Sequence, residues 1–124
     1  EEQPKEVREL APFDVVTNFG FTEHVQTDEG QAACWKNVHD MIRAGGRLSC
    51  VMPQPGFWKQ HGKHDGFPGV YYPYPEFFEE FARLNKYEVE DAWVDDEKHL
   101  VCCRLHKIED SDFVMPTTGM FKNP

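Results

Sequence analysis

Nowhere in this 124-residue chain does an apolar run approach the roughly 20 residues that a helix needs to cross a bilayer. No membrane association is therefore expected. A secretory signal pattern is also missing, although the chain opens on Glu1 and reads as a processed, trimmed or truncated piece. Positive charge is scarce: 13 Lys and Arg stand against 22 Asp and Glu, a net charge of -9. The basic residues are scattered, so a phosphate backbone would be repelled and nucleic acid is not an expected partner. Cysteine is sparse, and none of the four residues forms a Cys-x-x-Cys pair. A disulfide framework is the weaker reading. Cys34, Cys50, Cys102 and Cys103 read as free, mostly buried thiols of a reducing compartment, and the expected location is cytoplasmic. There is no internal repeat.

What is present is a folded globule's composition. Hydrophobic residues make up 40% and aromatics 14%, which argues against disorder. The length suits one domain with a core of its own. Residues 13–53 carry the clearest organisation. Phe13, Val15, Val16 and Phe19 predict a strand that ends in a polar cluster: Thr17, Asn18, Gly20, Thr22, Glu23 and His24. Thr27 or Asp28 can cap a helix running to about Ala44. Cys34 or Trp35, Val38, Met41 and Ile42 form its buried stripe. Gly45-Gly46 would end that helix, and 47–52 reads as a buried strand. The whole is a strand–helix–strand unit of a parallel sheet. Ligands gather at the carboxyl ends of such strands, where the polar cluster lies.

Residues 53–75 are rich in Pro, Gly and aromatics and read as an ordered covering loop. Pro75 suits the first turn of a helix ending near Asn85, with Phe77, Phe78, Phe81 and Leu84 as its apolar stripe. Residues 87–94 and 100–105 predict an antiparallel hairpin across the charged turn Asp95-Asp96-Glu97-Lys98. Tyr87, Val89, Ala92 and Trp93 are its expected packing residues on the first strand. Beyond Lys107 periodicity fades. The expected division is a linker or short helix over 1–10, the domain over 11–107 and an irregular tail over 108–124.

The order strand, helix, strand, loop, helix, strand, strand resembles the C-terminal half of a class I S-adenosylmethionine-dependent methyltransferase. The segment Phe-Asp-Val-Val-Thr-Asn-Phe-Gly-Phe-Thr-Glu-His-Val (residues 13–25) is similar to that superfamily's fourth-strand motif. The helix leading to Gly-Gly, and Phe77-Phe78 followed by Asn85-x-Tyr87, fit its later elements. The resemblance implies an α/β fold: a partial Rossmann-like sheet of parallel strands, plus an antiparallel C-terminal hairpin, with helices packed on it. The seventh strand of that fold lies antiparallel between the fifth and sixth. The resemblance also marks a departure. The family's first half brings a Gly-rich turn for the methionine part of the cofactor and an acidic residue for its ribose. This chain has no G-x-G-x-x-G, and only a short, largely charged segment precedes Phe13. The cofactor S-adenosyl-L-methionine is thus implied with an incomplete site, and the chain reads as a partial domain, inactive by itself.

The implied roles follow the motif. Asn18, Phe19 and Gly20 would lie beside the cofactor, and glycine lets a ligand approach the backbone closely. His24 could act as a base near neutral pH, with Glu23 orienting it or a substrate hydroxyl. The competing reading gives Glu23 and His24 a turn and helix-start role. Trp58, His61, Tyr71 and Tyr72 would form a lid over the acceptor. His61, His64 and Asp65 invite a metal reading, but no fourth ligand stands nearby, so no metal is assigned. Cys50 as a nucleophile is poorly supported inside an apolar strand.

Two functions from different classes remain. One is a methyltransferase acting on a small-molecule acceptor. The other is a non-catalytic half-domain that dimerises, or docks to a partner chain, through the strand edge at Phe13–Phe19.

Overall fold

Strand β1 (Phe13–Phe19) runs parallel to β2 (Ile42–Pro53), and helix α2 (Asp28–Met41) makes the crossover between them. The computed structural model describes residues 5–57 and 71–122. A short helix α1 (Lys5–Leu10) precedes β1, and a 3-10 turn (Thr22–His24) links β1 to α2. Further along lie β3 (Tyr71–Pro73), α3 (Pro75–Asn85), β4 (Tyr87–Asp95), β5 (Leu100–Lys107) and β6 (Met120–Lys122).

The main sheet has the order β1-β2-β5-β4. β5 is antiparallel to both of its neighbours, so β4 points the same way as β1 and β2. The architecture is therefore α/β with a mixed sheet. β3 and β6 form a separate antiparallel pair.

Sequence dictates the helix ends directly. Thr27 accepts a hydrogen bond from the Gly30 amide at 2.9 Å, which caps α2. Pro75 stands in the first turn of α3, where its missing N–H costs nothing. Both helices pack on one face of the sheet. Trp35 from α2 sits at the centre, with ring centroids 5.2 Å from Phe77, 6.0 Å from Phe78 and 5.8 Å from Phe81 of α3. Beneath them lie Leu48, Cys50 and Met52 of β2 and Val101, Cys103 and Leu105 of β5. Side chains alternate across a strand, so the intervening residues point to the opposite face. There Val15 and Phe19 are 59% and 63% exposed.

Several expectations are corrected. Helix α2 stops at Met41, not near Ala44, and β2 already begins at Ile42. Gly45 and Gly46 therefore do not end the helix; Gly45 has φ +89 inside β2, in the stretch between Ile42 and Arg47 where the β1–β2 register shifts. The chain turns extended at Ile42, and there the buried Lys107 ammonium donates to the carbonyls of His39 (3.0 Å) and Ile42 (2.7 Å). The His39 carbonyl also accepts from the Ile42 backbone N–H, so Lys107 adds a second donor at the helix's carboxyl end. Met41, placed in the buried stripe, is only half-buried. Val89 and Trp93 are each 41% exposed, because β4 is an edge strand with a bulge between Val89 and Asp91. Past the bulge, Ala92 and Val94 face the core and Trp93 faces away.

The segment after Lys107 is also built in. Phe113, Met115 and Met120 pack against the core. The Asn85 carboxamide donates to the Val114 carbonyl at 2.9 Å and accepts from its amide at 2.7 Å. None of the four cysteines forms a disulfide; Cys50, Cys102 and Cys103 are buried and Cys34 is half-buried. No helix among the described residues is long and apolar enough to cross a membrane.

Candidate functional site

The carboxyl end of β1 delivers Asn18 to the core side and Phe19 to the open side. This follows from the strand's two-residue period, because neighbouring side chains cannot share a face. Asn18 is buried and Phe19 exposed, so at this site Phe19 offers a ligand only its backbone. Gly20 follows with φ +75, a left-handed conformation that a side chain would strain. The chain then folds into the Thr22–His24 turn, which carries Thr22 and Glu23 inward.

A set of hydrogen bonds locks this turn. The Asn18 Nδ2 donates to Thr22 Oγ1 at 3.0 Å, and that hydroxyl faces Met52 Sδ at 4.0 Å. Gln31 Nε2 donates to the carbonyls of Thr22 (2.6 Å) and Val25 (2.9 Å). Gln31 Oε1 in turn accepts from Trp35 Nε1 at 3.1 Å. The turn is thus tied through Gln31 to the central tryptophan of the core. Gln31 was not singled out from the sequence. Its signal was available: it stands four residues before Trp35, on the buried stripe of α2.

Glu23 is buried, and burial is the main force pushing its carboxyl above the usual carboxylate range. A backbone hydrogen bond and the nearby His24 pull the other way. Glu23 Oε2 lies 3.6 Å from His24 Nε2, so the two expected catalytic residues do adjoin. Glu23 belongs to the 3-10 turn and not to α2, whose first turn carries Asp28 and Glu29 instead. The helix-start role therefore falls to those two residues.

Tyr71 and Tyr72 stand in β3, which packs beside this turn. Both are buried. The Tyr71 hydroxyl donates to the Asp28 carboxylate, and burial together with that acid pushes its pKa up to about 12. The Tyr72 hydroxyl is raised by burial first and by the charge of Glu23 second. Tyr72 and Glu23 therefore share one environment. Trp58 and His61 of the expected lid, and His64 and Asp65 of the metal reading, lie outside the described residues. No cluster of three or more His, Cys, Asp or Glu suited to a metal occurs among the described residues. Cys50 pairs with Cys103 across β2 and β5, and burial pushes its thiol well up, against a nucleophilic role.

Burial without partners marks the site most clearly. Asn18 Oδ1, Glu23 Oε1 and the Tyr72 hydroxyl are buried and accept or donate no hydrogen bond among the described residues. Gln54, just past β2, has the same feature at Oε1, while its Nε2 donates to Asp96 at 3.3 Å. Buried polar atoms are nearly always paired, so such a group at strand ends is a candidate ligand site. Set against known protein families, curated proteins and solved structures, the chain gives no match.

Proposed function

We propose that this chain is the C-terminal half of an S-adenosylmethionine-dependent methyltransferase domain acting on a small-molecule acceptor. The observation that carries the reading is the sheet: order β1-β2-β5-β4, with only β5 reversed. That is the arrangement implied for the fourth, fifth, seventh and sixth strands of the resembled fold. A hairpin placed beside β2 by its second strand is a specific topology, since consecutive strands more often follow in spatial order. The unpaired polar atoms of Asn18, Glu23 and Tyr72 lie where that fold gathers its ligands.

The residues present fit one end of the cofactor. Asn18 offers an unpaired buried carbonyl oxygen, and Gly20 offers close backbone approach. No Gly-rich turn stands before β1 in these residues. When bound, S-adenosylmethionine supplies an activated methyl group. The chain's own part is to position the acceptor, exclude water and hold a proton at His24 or Glu23.

The test is methyl transfer from isotope-labelled S-adenosylmethionine, using the natural full-length polypeptide and a pool of small metabolites. Label should appear in a small molecule and fall at least tenfold in Asn18→Ala. Failure of the full-length polypeptide to bind the cofactor in calorimetry would remove the reading.

The open face of the sheet favours a second reading. Val15, Phe19 and Phe21 are exposed on or beside β1, and β1 is an edge strand. Such an edge and face suit docking of another strand-bearing chain, with no catalysis by this half.

A further inference from the structure

Three of the unpaired oxygens belong to neighbouring elements: the end of β1, the Thr22–His24 turn and β3, which packs beside that turn. Asn18, Glu23 and Tyr72 are 5%, 3% and 3% exposed, and each leaves a buried oxygen without a partner among the described residues. The Asn18 amide nitrogen donates to Thr22 Oγ1, which leaves its oxygen unpaired. Gln31 holds the Thr22 backbone carbonyl at 2.6 Å. The Glu23 carboxylate lies against Gly20, where a Cβ would meet Oε2 at 3.5 Å. That leaves Oε1 facing inward with nothing to accept. Tyr72 is fixed by the pairing of β3 with β6, opposite Phe121.

The chemistry of these atoms selects the ligand. A carboxamide oxygen and a carboxylate oxygen only accept, and a tyrosine hydroxyl both accepts and donates one hydrogen. An anionic phosphate or carboxylate would face further lone pairs and a negative charge. A neutral alcohol brings one donor and no charge for the buried carboxylate. A primary ammonium brings three donors and the charge that a buried carboxylate lacks. The chain's net charge of -9 also draws cations toward it.

We propose that Asn18, Glu23 and Tyr72 form a receptor for a protonated primary amine. The upward push of burial on the Glu23 carboxyl fits this, since a bound cation would reverse it. Recognition of the amine stands without the methyltransferase reading. That reading supplies its two possible sources, the amino group of the methyl acceptor and the α-amino group of S-adenosylmethionine, which present the same ammonium.

The experiment is a titration of the isotopically labelled chain followed by nuclear magnetic resonance at neutral pH. n-Propylammonium should shift the Asn18 side-chain amide and the Gly20 backbone amide, while n-propanol at equal concentration should not. Glu23→Gln should weaken the amine about tenfold or more, and Tyr72→Phe by a smaller factor. The spectrum of each variant reports its folding independently. S-adenosylhomocysteine carries the α-ammonium and 5′-methylthioadenosine does not. Shifts at Asn18 with the first and not the second assign the amine to the cofactor; shifts with propylammonium alone assign it to the acceptor. Equal shifts with propanol, or no shift with any amine, overturn the proposal. Amine binding with no cofactor binding by the full-length polypeptide keeps the receptor and removes the methyltransferase.

Discussion

His39 on α2 reaches across to the segment after β5: its Nε2–H donates to the Ser111 carbonyl at 2.7 Å. The other ring nitrogen, Nδ1, then accepts from the Tyr87 hydroxyl at 3.1 Å. Both nitrogens are used by the neutral ring, and protonation would turn Nδ1 from acceptor to donor. Burial is the chief cause holding this imidazole below its usual pKa, and the nearby Lys107 charge adds to it. The folded value is thus below the unfolded one. This contribution to stability is complete above about pH 6.5 and is lost as pH falls from there through the folded value. Denaturation at pH 7.5 and 5.5 should show the loss, and His39→Gln should shrink it.

Glu23 has the opposite sign. Its folded carboxyl is raised above the model-peptide value, so its contribution is complete below that value and is lost as pH rises through the folded one. Glu23→Gln should therefore raise the melting temperature at pH 7 by a few degrees, on the order of 4 °C. The same variant should lose ligand binding. A melting temperature that falls at pH 7 would show that the carboxylate is already paired in the native protein.

Lys107 is buried, with its ammonium on the carbonyls of His39 and Ile42 and 3.3 Å from the Asp110 carboxylate. It closes the carboxyl end of α2 with a positive charge, the favourable sign there. Lys107→Met removes the ammonium from both carbonyls, of which His39 keeps the Ile42 N–H, and should cost about 1–3 kcal/mol in urea unfolding.

Asn85 is fully buried and ties α3 to the segment after β5. Its amide donates to the Phe81 and Val114 carbonyls, and its oxygen accepts from the Val114 amide. Asn85→Ala should destabilise the protein by about 2–3 kcal/mol. Hydrogen exchange should show protection lost at Val114 before the β2–β5 ladder opens.

The open sheet face gives a prediction of the other kind. Val15→Lys and Phe19→Lys change exposed side chains and should shift stability by no more than about 0.5 kcal/mol. If this face docks a partner or a second copy, the pair should abolish that association in sedimentation. Unchanged association would place the contact elsewhere.

Much of the fold could be read from local pattern. The strand at Phe13–Phe19, the Thr27 cap, Pro75 at the start of α3 and the charged hairpin turn all rest on neighbouring residues, and all appear in place. The errors share one cause. Helix α2 ends early where Lys107, far along the chain, donates to the carbonyls of His39 and Ile42. Trp93 faces outward because a bulge reverses the alternation. The segment 108–122 has no periodicity, yet it is held by His39 and Asn85.

For the candidate site the division is similar. Asn18, Glu23 and His24 stood out as polar residues at a strand's carboxyl end, and they do adjoin. Tyr72 joins them from the far side of 48 intervening residues by its place in β3, which period and spacing do not encode.

Alternation, capping residues and turn chemistry act between near neighbours, so the chain alone specified strands, helices and the α/β class. Which side chains end up buried without partners depends on contacts between distant segments. Only the folded arrangement therefore decided that Asn18, Glu23 and Tyr72 leave their oxygens unpaired, and that one face of the sheet stays open.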